Sequence, residues 1–170
     1  MKLLPFALLL LTGCQHASTP NEIPPPTVLP PPPGSASYNL NDGDTFLRAN
    51  AAKPGVKTTG SGLQYQVLES GPATGRSPTR SETVKVHYRG TLTNGTVFDS
   101  SIERGMPAVF GVGQVIPGWT EALQLMKPGD KWMLFIPANL AYGNRAVGDK
   151  IPANSTLIFL VELLEIAGQG

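Results

Sequence analysis

The sequence predicts an α+β fold, an antiparallel sheet faced by one short amphipathic helix. Three observations carry that expectation. Strand-like alternation recurs from Leu63 onward, most clearly where Val84, Val86 and Tyr88 are separated by Lys85, His87 and Arg89. One stretch has helical spacing, with Trp119, Ala122, Leu123 and Met126 at i, i+3, i+4 and i+7. Asn94-Gly95 stands between β-forming residues, the strongest short-range signal for a hairpin and hence for antiparallel neighbours.

Residues 1–13 stand apart from that fold. A charged start (Met1, Lys2), an apolar run and small residues before Cys14 read as an export signal. The run is too short to span a bilayer, which needs roughly 20 apolar residues. Leu11-Thr12-Gly13-Cys14 resembles the bacterial lipobox, in which the cysteine is lipidated and the chain is cut just before it. Cys14 is then the lipid attachment site. It is the only cysteine, and lipidation consumes a thiol that would otherwise be open to unwanted pairing after export. Two or three acyl chains, at about 0.8 kcal/mol per buried methylene, anchor durably where one is marginal. Gln15 is not the Asp that resembles an inner-membrane retention signal. The expected address is therefore the bacterial cell envelope, at the outer membrane facing the periplasm. An ordinary signal peptide with an incidental cysteine is the alternative.

Residues 14–40 hold eight of the 17 prolines and one charge, Glu22. They read as an extended spacer, rising about 3.1 Å per residue where it is truly polyproline II, or as a ligand for a proline-binding partner. Residues 41–60 form a short helix from Asn41 to Ala52, with Asn41 and Asp42 as candidate caps and Arg48 late, and then a connection. That helix is poor in apolar residues, so both docking and mobility are open to it.

Residues 61–167 are the compact domain. Leu63, Tyr65 and Val67 alternate with Gln64, Gln66 and Leu68 as a half-buried strand. Thr91 to Phe98 forms a tight hairpin whose type I′ turn needs two positive φ values. Lys131–Ile136 and Thr156–Ile166 are apolar on both faces, as suits the centre of a sheet. Pro117 precedes the first turn of the helix, and Lys127-Pro128-Gly129 stops it.

Composition excludes several function classes. The formal net charge is +1, and Lys2 is the sole charge before Cys14, leaving 12 basic and 12 acidic residues in the mature chain. A neutral chain has no electrostatic footprint for nucleic acid and no polybasic patch for anionic lipid, so any membrane attachment rests on the lipid alone. Gly111-Val112-Gly113 lacks the third glycine spacing of a dinucleotide loop and reads as a turn. His16 and His87 have no partners for metal binding or for activating a nucleophile. No cofactor or metal is expected.

What remains is a series of apolar and aromatic segments in a fixed order. It runs Val86-His87-Tyr88-Arg89-Gly90, Gly95 to Ser101, Gln114-Val115-Ile116-Pro117-Gly118-Trp119, Met126 to Gly129, Ala141-Tyr142-Gly143 and Leu157-Ile158-Phe159. From Ser61 to Ile166 this resembles the FK506-binding-protein type of peptidyl-prolyl isomerase. The resemblance implies a five- or six-stranded antiparallel sheet wrapped around the short helix, with the pocket between them. It implies Trp119 as the pocket floor and Tyr88, Phe98, Val115, Ile116 and Phe159 as its walls. Asp99 matches the pocket carboxylate and Arg104 its partner. Tyr142, after Ala141, matches the hydroxyl that donates to a bound carbonyl, and Ile151 an apolar flap residue.

The same resemblance implies proline-containing polypeptides as substrates and macrolides of the FK506 type as ligands. Departures from the family pattern are Ala108 where eukaryotic members have an aromatic wall residue, a shorter segment from Phe110 to Val115, and Asn144, Arg145 and Lys150 on the flap. These bear on macrolide binding rather than on the floor. Phe46-Leu47 and the linker look like the macrophage-infectivity-potentiator branch without its long dimerising arm, and a monomer is expected.

Such a pocket suits isomerisation because the twisted X-Pro amide is less charge-separated than the planar one, so a dry apolar cavity disfavours it less than water does. Asp99 has two readings, as a carboxylate that orients Tyr88 and acts on the twisting carbonyl, or as a buried charge satisfied by Tyr88 and Arg104. The chain as a whole reads as an isomerase, as a membrane-tethered chaperone or adaptor using the pocket without useful turnover, or as a structural lipoprotein.

Overall fold

A computed structural model of the chain describes residues 35–167. The export signal, Cys14 and the spacer as far as residue 34 lie outside the described residues. Seven strands form one antiparallel sheet: β1 (Val56–Thr58), β2 (Gln64–Glu69), β3 (Thr83–Leu92), β4 (Val97–Ser100), β5 (Ala108–Gly111), β6 (Lys131–Ile136) and β7 (Leu157–Ile166). Their order is β1-β2-β6-β7-β3-β4, with β5 also on β3. The α+β expectation holds, with the strand count raised by two short pieces, β1 and β5, that the alternation does not announce. Among the described residues no helix is long and apolar enough to cross a membrane.

The long apolar strands occupy the centre. β7 pairs with β6 on one side and β3 on the other. The far edge of β3 is shared: Thr83–Val86 pair with β5 and Arg89–Thr91 with β4. Between them the chain leaves the sheet, and Ser101 takes over, its Oγ accepting from the Tyr88 N–H at 2.8 Å and its N–H donating to the Tyr88 carbonyl at 3.0 Å. The fork in the sheet thus falls at Tyr88.

Helix α2 (Pro117–Leu123) packs into the core with Pro117 at its first position. Trp119, Ala122, Leu123 and Met126 are all buried, as their spacing predicts, and join Leu134, Ile136, Leu157, Val161 and Leu163 in the core. Gly111 to Gly113 leads into a 3-10 turn, Val112–Gln114, whose first carbonyl accepts from Thr120 Oγ1 at 2.7 Å.

Four local expectations are corrected. Helix α1 spans Ala36–Ala51 and so begins inside the stretch assigned to the spacer. Asn41 and Asp42 are mid-helix rather than caps, and the Asp42 carboxylate instead accepts from Thr93 Oγ1 at 2.9 Å. The hairpin turn is closed by the Gly95 N–H on the Leu92 carbonyl, and Asn94 is not among the residues at positive φ, whereas Gly95 is at +86°. That is the three-residue loop with a left-handed glycine, not the type I′ turn. In β2 the alternation breaks at a bulge between Val67 and Glu69, leaving Val67 and Leu68 exposed. Gln64 is buried instead, because α1 covers it: Asn50 Nδ2 donates to Gln64 Oε1 at 3.0 Å, and Gln64 Nε2 donates to the Leu47 carbonyl at 2.9 Å.

Candidate active site

Between α2 and the forked end of the sheet lies an open cleft of about 750 Å³. Its floor is Trp119, held at the start of α2. Tyr88, Phe110 and Phe159 all meet the indole edge to face, with centroids 5.4, 5.7 and 5.2 Å from it. Phe98 stands against Phe159 at 5.4 Å and 84°. Rings in T-shaped contact lock one another's orientation, so the floor and walls are fixed before anything binds. Gly90 makes the wall possible. A Cβ there would lie 2.6 Å from the Phe98 ring and 2.7 Å from that of Phe159.

The polar groups sit on the rim. The Tyr88 hydroxyl donates to Asp99 Oδ2, Arg104 Nη1 donates to Asp99 Oδ1, and Arg104 Nη2 donates to the Tyr88 oxygen at 3.0 Å. Burial works against the Asp99 charge, yet the Tyr88 hydroxyl and the Arg104 guanidinium outweigh it and hold the carboxyl below its usual range. Burial, with the Asp99 hydrogen bond, pushes the Tyr88 hydroxyl up. The Asp99 side chain is 44% exposed, so the reading of it as a buried charge is corrected, while its satisfaction by Tyr88 and Arg104 stands. Tyr142 is 40% exposed on the opposite rim, and its hydroxyl has no hydrogen-bond partner among the described residues.

Of the residues singled out in the sequence, Tyr88, Phe98, Asp99, Val115, Ile116, Trp119, Tyr142, Ile151 and Phe159 line the cleft. Arg104 reaches it through Asp99. Ala141 does not line it but packs beneath, against the core. Sequence reasoning missed Phe110, Gln114, Val147, Gly148 and Asp149 as lining residues. Phe110 carried a signal, since it shares a strand face with Ala108. The small residue packs against the core, and Phe110, two positions on, supplies the aromatic wall. The other misses lie in turns without periodicity. Among the described residues no group of three His, Cys, Asp or Glu side chains converges as a metal site.

Comparison with known proteins gives consistent matches. A family model described as FKBP-type peptidyl-prolyl cis-trans isomerase matches residues 74–164, and one described as the domain amino terminal to that isomerase matches residues 34–67. The chain is 54% identical over 131 residues to the outer membrane protein MIP of Legionella longbeachae, covering 77% of this chain and 55% of that protein. It is 57% identical over 131 residues to the FKBP-type isomerase FkpA of Aeromonas hydrophila, covering 77% and 48%. The crystal structure of FkpA from Escherichia coli aligns with a TM-score of 0.73 at 48% identity, covering 77% of this chain and 60% of that one. An isomerase from Pseudomonas syringae aligns with a TM-score of 0.71 at 39% identity, covering 78% and 96%. The chain spans about half the length of the curated relatives it matches.

Proposed function

This chain belongs to the family of FKBP-type peptidyl-prolyl cis-trans isomerases, and from that premise we propose that its cleft catalyses rotation about X-Pro bonds in exported polypeptides without forming any bond to them. One observation carries the reading: preoriented rings line an apolar cleft whose rim offers a Tyr142 hydroxyl with no hydrogen-bond partner among the described residues and a carboxylate already held by two side-chain donors.

The barrier to be lowered is about 18–20 kcal/mol and arises from lost amide resonance. Planar amides carry partial charge on oxygen and nitrogen, and water stabilises that charge. A pyrrolidine ring seated on Trp119 between Phe98, Phe159, Val115 and Ile116 leaves that stabilisation behind, which disfavours the planar form relative to the twisted one. Tyr142 donates to a flanking carbonyl and holds one side of the bond while the other turns, a positioning effect. Asp99 fixes the Tyr88 ring and places its partly neutralised charge beside the turning carbonyl. Arg104 keeps that carboxylate ionised. Ile151 closes the slot from the flap, and Ala141 sets the chain that carries Tyr142. Lowering the barrier by about 6 kcal/mol gives roughly 10⁴-fold acceleration. No proton transfer is required.

A macrolide of the FK506 type is the proposed competitor for the same slot. The name of the Legionella relative supports a cell-envelope location, and Leu11-Thr12-Gly13-Cys14 supports anchoring through Cys14 with the domain, as a monomer, in the periplasm. Cys14→Ser is expected to yield a soluble, active protein. The activity is tested with a protease-coupled assay on an Ala-Leu-Pro-Phe peptide. Acceleration supports the isomerase; binding without acceleration would leave only an adaptor.

A further inference from the structure

Helix α1 contains Asn39, Asn41, Asp42, Gly43, Asp44 and Asn50, all poor helix formers, so its own propensity does not hold it. Its contacts do, and they are directed. The C-terminal half is anchored to the sheet by Phe46, 6.0 Å from Phe135, and by the buried Asn50 and Gln64 amides. The N-terminal half, on the same helical face, points elsewhere. Asn39 Nδ2 donates to the Ala153 carbonyl at 3.0 Å. Four residues on, Gly43 lies so close to buried Thr156 that a Cβ would stand 2.3 Å from its Oγ1.

Ala153 to Thr156 is the limb by which the flap returns to β7. Its Asn154 N–H donates to the Gly143 carbonyl at 2.7 Å, next to Tyr142. The Val147 N–H donates to the Ile151 carbonyl at 2.8 Å, closing the flap itself. One helix therefore grips, through backbone and side chain, the segment on which Tyr142 and Ile151 depend. It also reaches the hairpin below Phe98 and Asp99 through Asp42 and Thr93.

Building on the isomerase reading, we infer that α1 sets the flap over the cleft, with Asn39 and Gly43 as positioning residues for Tyr142 and Ile151. Neither touches substrate. Both act by fixing the limb, so their loss chiefly weakens substrate capture and moves the rate of rotation once bound only a little, because the aromatic floor stays in place and Tyr142 keeps its hydroxyl.

The experiment uses the full chain and three variants: Asn39→Ala, Asn39→Asp, which keeps the size but cannot donate, and Gly43→Ala, which pushes on Thr156. KM and kcat are measured on the proline peptide, and amide hydrogen exchange is followed across residues 142–156. Expected is a rise in KM of about threefold, the scale of one hydrogen bond, with kcat within about twofold. Exchange across 142–156 should accelerate while that of β6 and β7 stays slow, and Asn39→Asp should match Asn39→Ala. Unchanged exchange at 142–156 in all variants, or a normal Asn39→Asp beside an impaired Asn39→Ala, would overturn the inference. Should the unmodified chain show no turnover, the isomerase reading fails on its own and the exchange result alone decides the role of α1.

Discussion

Asp99 and Asp130 are both carboxylates paired with a cation, yet one sits on the rim of the cleft and the other inside the turn that joins α2 to β6. Asp130 is almost fully buried, and its side chain accepts from the Gly71 N–H at 2.7 Å, the Lys127 N–H at 3.1 Å and Lys127 Nζ at 2.6 Å. Burial opposes its charge, but the Lys127 ammonium and the two backbone donors hold its carboxyl below the usual range. Two of its donors are main-chain groups that would be stranded without it. Asp99 is held mainly by the Tyr88 and Arg104 side chains, with a smaller backbone contribution from Ser100, and faces solvent on one side. The same ion-pair chemistry thus fastens chain to chain in one place and, on the proposed function, tunes a surface for a ligand in the other.

Removing each carboxylate should separate the two roles. Asp130→Ala is expected to cost about 2 kcal/mol of folding stability by urea denaturation, since it removes the buried acceptor of two part-buried N–H groups and of the Lys127 ammonium. Turnover per folded molecule should hardly change. Asp99→Ala should do the reverse, lowering kcat/KM about tenfold with stability within about 1 kcal/mol, because exposed ion pairs contribute little. If both variants lose stability alike, the contrast fails. Tyr142→Phe, which deletes one exposed donor, should lower kcat/KM about threefold without moving the urea midpoint.

The smallest effect is with pH. Glu82, held at about 2 by Arg76 and the Thr79 N–H, and Asp99 and Asp130, also lowered, bind fewer protons folded than unfolded. Their contribution is complete above the unfolded carboxylate values and drains as pH falls toward the folded ones. Urea midpoints should be level near pH 6 and decline below about pH 4.5. A Glu82→Gln chain should decline less; an identical slope would contradict the assignment.

The contrast between the two aspartates also shows where sequence reasoning reaches. Val84, Val86, Tyr88 and the α2 stripe were readable because burial on one face imposes a period, and a ten-residue strand leaves room to see it. β1 and β5 have three and four residues, too few for a pattern. Gln64 was read as solvent-facing because nothing in its neighbourhood announces that a helix fourteen residues earlier lies over it. Asp99 was reached through a resemblance, and Asp130, beside the Lys127-Pro128-Gly129 stop, was not singled out, since the burial that defines it depends on the distant Gly71 segment. Phe110 shows the same limit, its wall position set by how β5 pairs with β3.

The position of β7 has a consequence for how the molecule comes into being. It follows every other strand in the chain, yet it lies between β6 and β3 and carries Phe159 into the ring cluster. A polypeptide threaded amino end first, off a ribosome or through a membrane channel, cannot complete this sheet until its last wedge has emerged. Long-range pairing of that kind delays closure. The wall that Phe159 supplies is therefore complete only once β7 has paired between β6 and β3.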